Sequence, residues 1–257
     1  MAKFLSGQSP ILTSMIGGKT PDIVTETIEK SINQGAEALC LLLQELSPEY
    51  KTRETYKKIF DSAKGRPIYA ANYIRNNSQT DLTDDILAKQ LIEMAESGAD
   101  LIDIRCDMFS PSVNEVTKNT FAVQKQKELI SEIHDMGAEV LMSTHIFEYT
   151  SPEEVLEIAL LQQERGVDIA KIVTVANSEK ELDASLETIM LLKKNLDIPF
   201  LHLCNGSHCR KHRLLGPFLG SCFYLCLENS KTQGPQPTIE EAKAMREKFR
   251  LLEENNG

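Results

Sequence analysis

The stretch Ser97-Gly98-Ala99-Asp100-Leu101-Ile102-Asp103-Ile104-Arg105 carries the unit from which the chain is built. It closes a helix-like segment on a glycine and turns at once into a short apolar run. The same punctuation recurs at Gln34-Gly35-Ala36-Glu37, Met136-Gly137-Ala138-Glu139 and Arg165-Gly166-Val167-Asp168. Glycine just past a periodic segment is a helix C-cap, and the runs that follow are too short for helices and read as buried parallel strands.

Working outward, the same reading predicts strands at Ile11 to Ser14, Ala38 to Leu43, Pro67 to Asn72, Leu101 to Arg105, Glu139 to Thr144, Ile169 to Val173, Phe200 to Leu203 and Cys222 to Cys226. Helical periodicity falls between them at Pro21 to Asn33, Glu49 to Lys64, Asp84 to Ser97, Asn114 to Met136, Pro152 to Arg165 and Glu179 to Asn195, with Ile239 to Leu252 at the end. No clear helix follows the seventh strand. Thr20-Pro21 and Ser151-Pro152 place a capping hydroxyl before proline at the first helical position. Alternating strands and helices with short turns imply a parallel sheet, and eight such units close most simply into a (β/α)8 TIM barrel. An open doubly wound sheet fits less well, because Met15-Ile16-Gly17-Gly18-Lys19 lacks the dinucleotide-binding glycine spacing. With no long linker or low-complexity segment, residues 1–257 read as a single domain.

The chain has 28 Lys and Arg against 38 Asp and Glu, a net charge of −10, which argues against nucleic acid or an anionic membrane as partner. No apolar run reaches the length of a membrane span, and Met1 to Pro10 lacks the apolar core of a secretory signal, so a cytoplasmic protein is expected. Six cysteines are too sparse for a disulfide framework, so reduced thiols are expected. Cys222 and Cys226, four apart, are expected on one strand face as core packing.

In a barrel the chemistry sits at the C-terminal ends of the strands. His145 ends the fifth, in Leu141-Met142-Ser143-Thr144-His145, and Lys171 lies inside the sixth, in Asp168-Ile169-Ala170-Lys171-Ile172-Val173. A lysine among apolar neighbours is costly unless paired, and a desolvated amine is suited to forming a Schiff base with a carbonyl. The alternative is a strand-end lysine that reaches solvent or pairs with an acid such as Asp103. His145, on the adjacent strand, suits a proton shuttle; the alternative is a hydrogen-bonded core histidine.

The run from His202 to Arg213 concentrates His202, Cys204, His208, Cys209 and His212, which makes a zinc site conceivable. Arg210, Lys211 and Arg213 would repel a cation, however, and a glycine-containing loop bearing them fits an anion such as a carboxylate or phosphate better. No metal is expected.

Three segments together resemble the type I 3-dehydroquinate dehydratases: Met142-Ser143-Thr144-His145-Ile146-Phe147 with Thr150-Ser151-Pro152-Glu153-Glu154, then Gly166 to Val173, then Arg213 to Ser221 with Thr232-Gln233-Gly234-Pro235-Gln236. Lys171 follows His145 by 26 residues, the spacing of that family. The resemblance implies a (β/α)8 barrel, a homodimer, that dehydrates 3-dehydroquinate to 3-dehydroshikimate in the shikimate pathway of aromatic amino acid biosynthesis, without metal or cofactor. Lys171 would form the imine with the substrate ketone. His145 would take the adjacent proton and later protonate the leaving hydroxyl. Arg213 would bind the substrate carboxylate, helped by Thr232 and Gln236 from a closing loop.

The N-terminal half departs from that pattern. Cys40-Leu41-Leu42 stands where the family has Glu-x-Arg, and Ala70-Ala71-Asn72-Tyr73 stands where it has an Arg, with Arg75 two residues further on. Its Glu-Gly-Gly is absent from Asn76-Asn77-Ser78-Gln79, while Ile146 and His212 replace an Asp and a Ser. Sites built to bond substrate hydroxyls discriminate through those groups. Two further readings therefore stand beside the dehydratase: the same imine chemistry on another small keto acid, and a non-catalytic barrel that binds a small anion.

Overall fold

The computed structural model describes residues 3–5, 10–73, 82–231 and 234–255. Strands and helices alternate along them: β1 (Ile11–Gly17), α1 (Pro21–Gln34), β2 (Ala38–Leu42), α2 (Arg53–Asp61), β3 (Ile68–Ala71), α3 (Asp84–Glu96), β4 (Leu101–Arg105) and α4 (Thr120–Asp135). The second half repeats the pattern with β5 (Glu139–His145), α5 (Pro152–Glu164), β6 (Ile169–Val175), α6 (Glu179–Asn195), β7 (Phe200–Asn205), α7 (Cys209–Leu219), β8 (Phe223–Cys226) and α8 (Ile239–Asn255). All strand pairings are parallel, in the order β7-β6-β5-β4-β3-β2-β1-β8. The start of β8 reaches β7 through Cys222, whose N–H donates to the Phe200 carbonyl at 2.9 Å. The sheet is therefore a nearly closed (β/α)8 barrel, the architecture the alternating pattern predicts.

Local chemistry explains the element ends. Gly35 sits at φ 102 and its N–H caps α1 on the Ile32 carbonyl, a conformation that a Cβ would strain. Thr20 accepts the Ile23 N–H at 3.4 Å, and Ser151 and Glu154 form a reciprocal capping box at the start of α5. Two predicted helices begin too early. The second opens instead with a 3₁₀ turn (Pro48–Tyr50) before α2, and residues 114–119 form a loop until Asn119 caps α4.

Alternate strand residues face two cores. Tyr69, Leu101, Leu141, Ile169, Leu201 and Phe223 fill the barrel, while Ile68, Ile102, Val140 and Met142 pack under the helices. Cys222 and Cys226 do not share a face. Cys222 precedes the strand and joins the inner cluster, whereas Cys226 joins the outer one. The 3₁₀ turn Lys3–Leu5 puts Phe4 edge-on to Tyr69 and Phe223, with centroids at 6.3 and 5.6 Å. No helix among the described residues is long and apolar enough to cross a membrane.

Candidate active site

Lys171 lies between Ile169 and Val173 on β6, so its side chain enters the barrel with theirs and is 6% exposed. Gln162 of α5 holds the strand there: its side-chain carbonyl accepts the Lys171 N–H at 3.1 Å and its amide donates to the Lys171 carbonyl at 3.3 Å. The ammonium meets Asp103 Oδ2 at 3.2 Å, the Tyr69 hydroxyl at 3.0 Å and the Tyr73 hydroxyl at 2.5 Å. Both tyrosines also donate to Asp103 Oδ2, and Ser143 donates to Oδ1 at 2.6 Å. Burial, reinforced by the Asp103 carboxylate, pushes both phenols well above their ordinary range. The pairing with Asp103 is one of the two alternatives that the sequence leaves beside a Schiff-base lysine, and it joins Lys171 to the barrel interior rather than to solvent.

His145 ends β5 beside this cluster, its imidazole edge-on to the Tyr73 ring at 5.2 Å. Glu115, buried in the loop before α4, accepts the His145 backbone N–H at 2.9 Å and sits 2.8 Å from Nδ1. The contact assigns the Nδ1 proton to Glu115, which leaves the Nε2 lone pair free of that partner. Burial is the largest influence on His145 and holds it below its ordinary value of 6.5, so the ring is neutral near pH 7. Glu115 adopts φ 51, a left-handed conformation that costs a non-glycine residue energy and recurs at functional sites.

Arg213 lies in the first turns of α7, a helix that the sequence does not reveal. Gly206 turns the chain from β7 into it at φ 92; a Cβ there would sit 2.6 Å from the Ala176 carbonyl oxygen. Arg213 is 4% exposed and donates to the Cys204 carbonyl at 3.0 Å, Gln236 Oε1 at 2.7 Å and Asn205 Oδ1 at 3.0 Å. These acceptors are neutral. Among the described residues no carboxylate pairs with this cation, and burial lowers its pKa to about 10. Arg210 and Lys211, grouped with it in the sequence, turn outward to Glu241 and Glu179. His202 and His212 are buried edge-on to each other at 5.1 Å, away from solvent. Thr232 and Arg75 lie outside the described residues.

One cavity of about 210 Å³ joins these parts, with Lys171, His145, Tyr73, Arg213 and Gln236 in its wall. Met15, Cys40, Leu42 and Leu225 supply an apolar side to it. A larger cavity of about 690 Å³ opens beside Pro10 and Ser221, at the N-terminal strand ends, and contains none of them. An amine, a neutral imidazole and an uncompensated guanidinium around one pocket suit a small keto acid: a carbonyl for the amine, a C–H for the base, a carboxylate for the cation.

The sequence pattern of the type I 3-dehydroquinase family matches residues 119–254, just over half of the chain. The chain belongs to that family. The 3-dehydroquinate dehydratase of Alkaliphilus oremlandii is 29% identical over 119 residues, which span 46% of this chain and only 47% of that enzyme. That of Methanopyrus kandleri is 23% identical over 240 residues, covering 92% of this chain and 98% of the enzyme. Among solved structures, the 3-dehydroquinate dehydratase of Geobacillus kaustophilus superposes with a TM-score of 0.83 at 16% identity, covering 95% of this chain and 93% of that one. The type I enzyme of Clostridium difficile with covalently modified comenic acid gives 0.82 at 17% identity, covering 97% and 94%. At those identities the superpositions speak for the fold. The family match begins at Asn119, so it takes in His145, Lys171, Arg213 and Gln236, whereas Tyr69, Tyr73, Asp103 and Glu115 lie before it.

Proposed function

We propose that this member of the type I 3-dehydroquinase family is a hydro-lyase that converts 3-dehydroquinate to 3-dehydroshikimate through an imine on Lys171. The observation that carries the proposal is the single cavity uniting Lys171, His145 and Arg213. Arg213, with Gln236 and Asn205 beside it, holds the substrate carboxylate and supplies the buried guanidinium with a counter-charge. The Lys171 amine attacks the ketone, and loss of water leaves an iminium. That cation draws electrons from the neighbouring carbon and acidifies its C–H. His145 Nε2 takes the proton, Glu115 on Nδ1 steadies the imidazolium, and the same proton then leaves with the β-hydroxyl. Water releases the conjugated ketone and restores the amine. No step calls on a metal or cofactor.

A second reading keeps the imine and changes the ketone. It is favoured by the apolar wall of Cys40, Leu42 and Leu225, which offers substrate hydroxyls little to bond. The protein acts in this reading as one barrel domain, as a homodimer and in the cytoplasm; six free thiols fit a reducing compartment. Borohydride added during turnover of 3-dehydroquinate tests the imine. A reduced adduct that requires the ketone and is absent from Lys171→Ala supports it, and an adduct that persists in that variant refutes it.

A further inference from the structure

As an ammonium, Lys171 has three N–H donors. Each has an acceptor: Tyr69 Oη, Tyr73 Oη and Asp103 Oδ2. An amine held in that way is not yet a nucleophile, because a proton occupies its lone pair. Among the described residues, Asp103 is the carboxylate paired with Nζ, and both phenol hydroxyls donate to the same Oδ2. Proton transfer to it through a bridging hydroxyl keeps every group hydrogen-bonded, since a phenol accepts from nitrogen while it donates to oxygen.

The two tyrosines are not equivalent. Tyr69 is fully buried within β3, edge-on to Phe4 and Phe223. Tyr73 lies two residues past the end of β3, partly exposed, with the shorter contact to Nζ. Its ring also lies edge-on to that of His145, with centroids 5.2 Å apart. The imidazole is tied to Glu115, whereas the amine's proton contacts all run to Tyr69, Tyr73 and Asp103.

We propose that Tyr73 is a catalytic residue for imine formation, carrying protons between Lys171 Nζ and Asp103, while His145 serves the carbon acid. The proposal rests on the imine reading above. In the first step an N–H proton passes to Tyr73 Oη as the phenol proton passes to Asp103 Oδ2, giving a neutral amine, an intact phenol and a protonated carboxyl. The amine then adds to the ketone: a C–N bond forms, the carbonyl π pair moves to oxygen, and a proton shift from nitrogen to oxygen gives the neutral carbinolamine. In the return step Tyr73 delivers its proton to the carbinolamine hydroxyl and regains one from Asp103. The C–O bond breaks, water leaves, and the iminium faces the restored Asp103 carboxylate. Atoms and charge balance: ammonium and ketone give iminium and water.

The test is the rate at which a borohydride-trapped adduct accumulates on Lys171 after rapid mixing with 3-dehydroquinate, read by intact mass. Tyr73→Phe keeps the ring and its contact with His145. It is expected to form the adduct about 10²-fold more slowly, the lower end of what general acid–base catalysis supplies. A Tyr73→Phe rate within threefold of wild type overturns the proposal. His145→Gln is expected to trap at a rate near wild type while turnover is lost; adduct formation slowed as much as in Tyr73→Phe overturns the division of labour. Should Tyr73→Phe fail to fold, 3,5-difluorotyrosine at position 73 preserves size and acidifies the phenol. The groups facing it are Lys171, Asp103, Tyr69 and His145. The rate of adduct formation at fixed pH is then expected to change by more than threefold, and a rate within threefold of wild type overturns the proposal. A wild-type protein that yields no adduct at all removes the imine reading itself, a result distinct from each of these.

Discussion

Replacing Asp103 by asparagine removes the counter-charge of Lys171 and little else, because the amide keeps nearly the same size. The side chains of Lys171 and Asp103 are 6% and 0% exposed, and Nζ lies 3.2 Å from Oδ2. At that separation, with an effective dielectric of about 20, their attraction is about 5 kcal/mol. The substituted protein must either bury an ammonium without its partner or give up its proton. Breaking one side of a buried pair commonly costs about 3–5 kcal/mol, and that is the expected loss for Asp103→Asn. Lys171→Met alone leaves the opposite charge buried and should cost a similar amount. The double variant Asp103→Asn, Lys171→Met removes both charges, and such replacements are often close to neutral. A double-mutant cycle by urea unfolding at pH 7.5 should therefore show the double variant more stable than either single one. Single losses below about 1 kcal/mol, the level of an exposed pair, would refute the reasoning. So would additive losses.

Two further predictions follow from the same physics. Arg213→Met removes a buried cation with neutral partners, so KM for 3-dehydroquinate should rise about 10²-fold, since charged hydrogen bonds contribute about 1.5–3 kcal/mol, while the melting temperature stays level or rises; an unchanged KM contradicts this. Burial lowers the pKa of His202 from 6.5 to about 4, so the unfolded chain takes up a proton below pH 6.5 that the native state refuses, and stability falls as pH drops through that window. Between pH 7.5 and 5, His202→Leu should lose about 2 kcal/mol less stability than wild type in urea unfolding, and equal losses would count against it.

The fold was legible where local chemistry speaks for itself. Gly35 and its three counterparts sit at positive φ because a helix ends there, and the following apolar runs have the length of strands. Helix α7 was hidden because Gly216 and Pro217 interrupt its pattern; Ile189 Cδ1 lies 3.2 Å from where a Cβ on Gly216 would be. Lys171, His145 and Arg213 stand out as polar residues in segments that are otherwise apolar or clustered. Glu115 does not, because it reaches His145 across 30 residues of sequence through a left-handed backbone turn. Tyr69 and Tyr73 read as ordinary strand aromatics. Only the register, which sets Ala71 against Asp103 and Ser143 against Lys171, brings their hydroxyls to the amine.

Every step of the proposed reaction depends on Lys171 acting as a nucleophile. The most direct measurement is peptide mapping by mass spectrometry after the protein is mixed with 3-dehydroquinate and borohydride. The expected result is a single reduced adduct, on Lys171 and absent from Lys171→Met. A folded protein that yields no adduct, or one that carries it on another lysine, would contradict it.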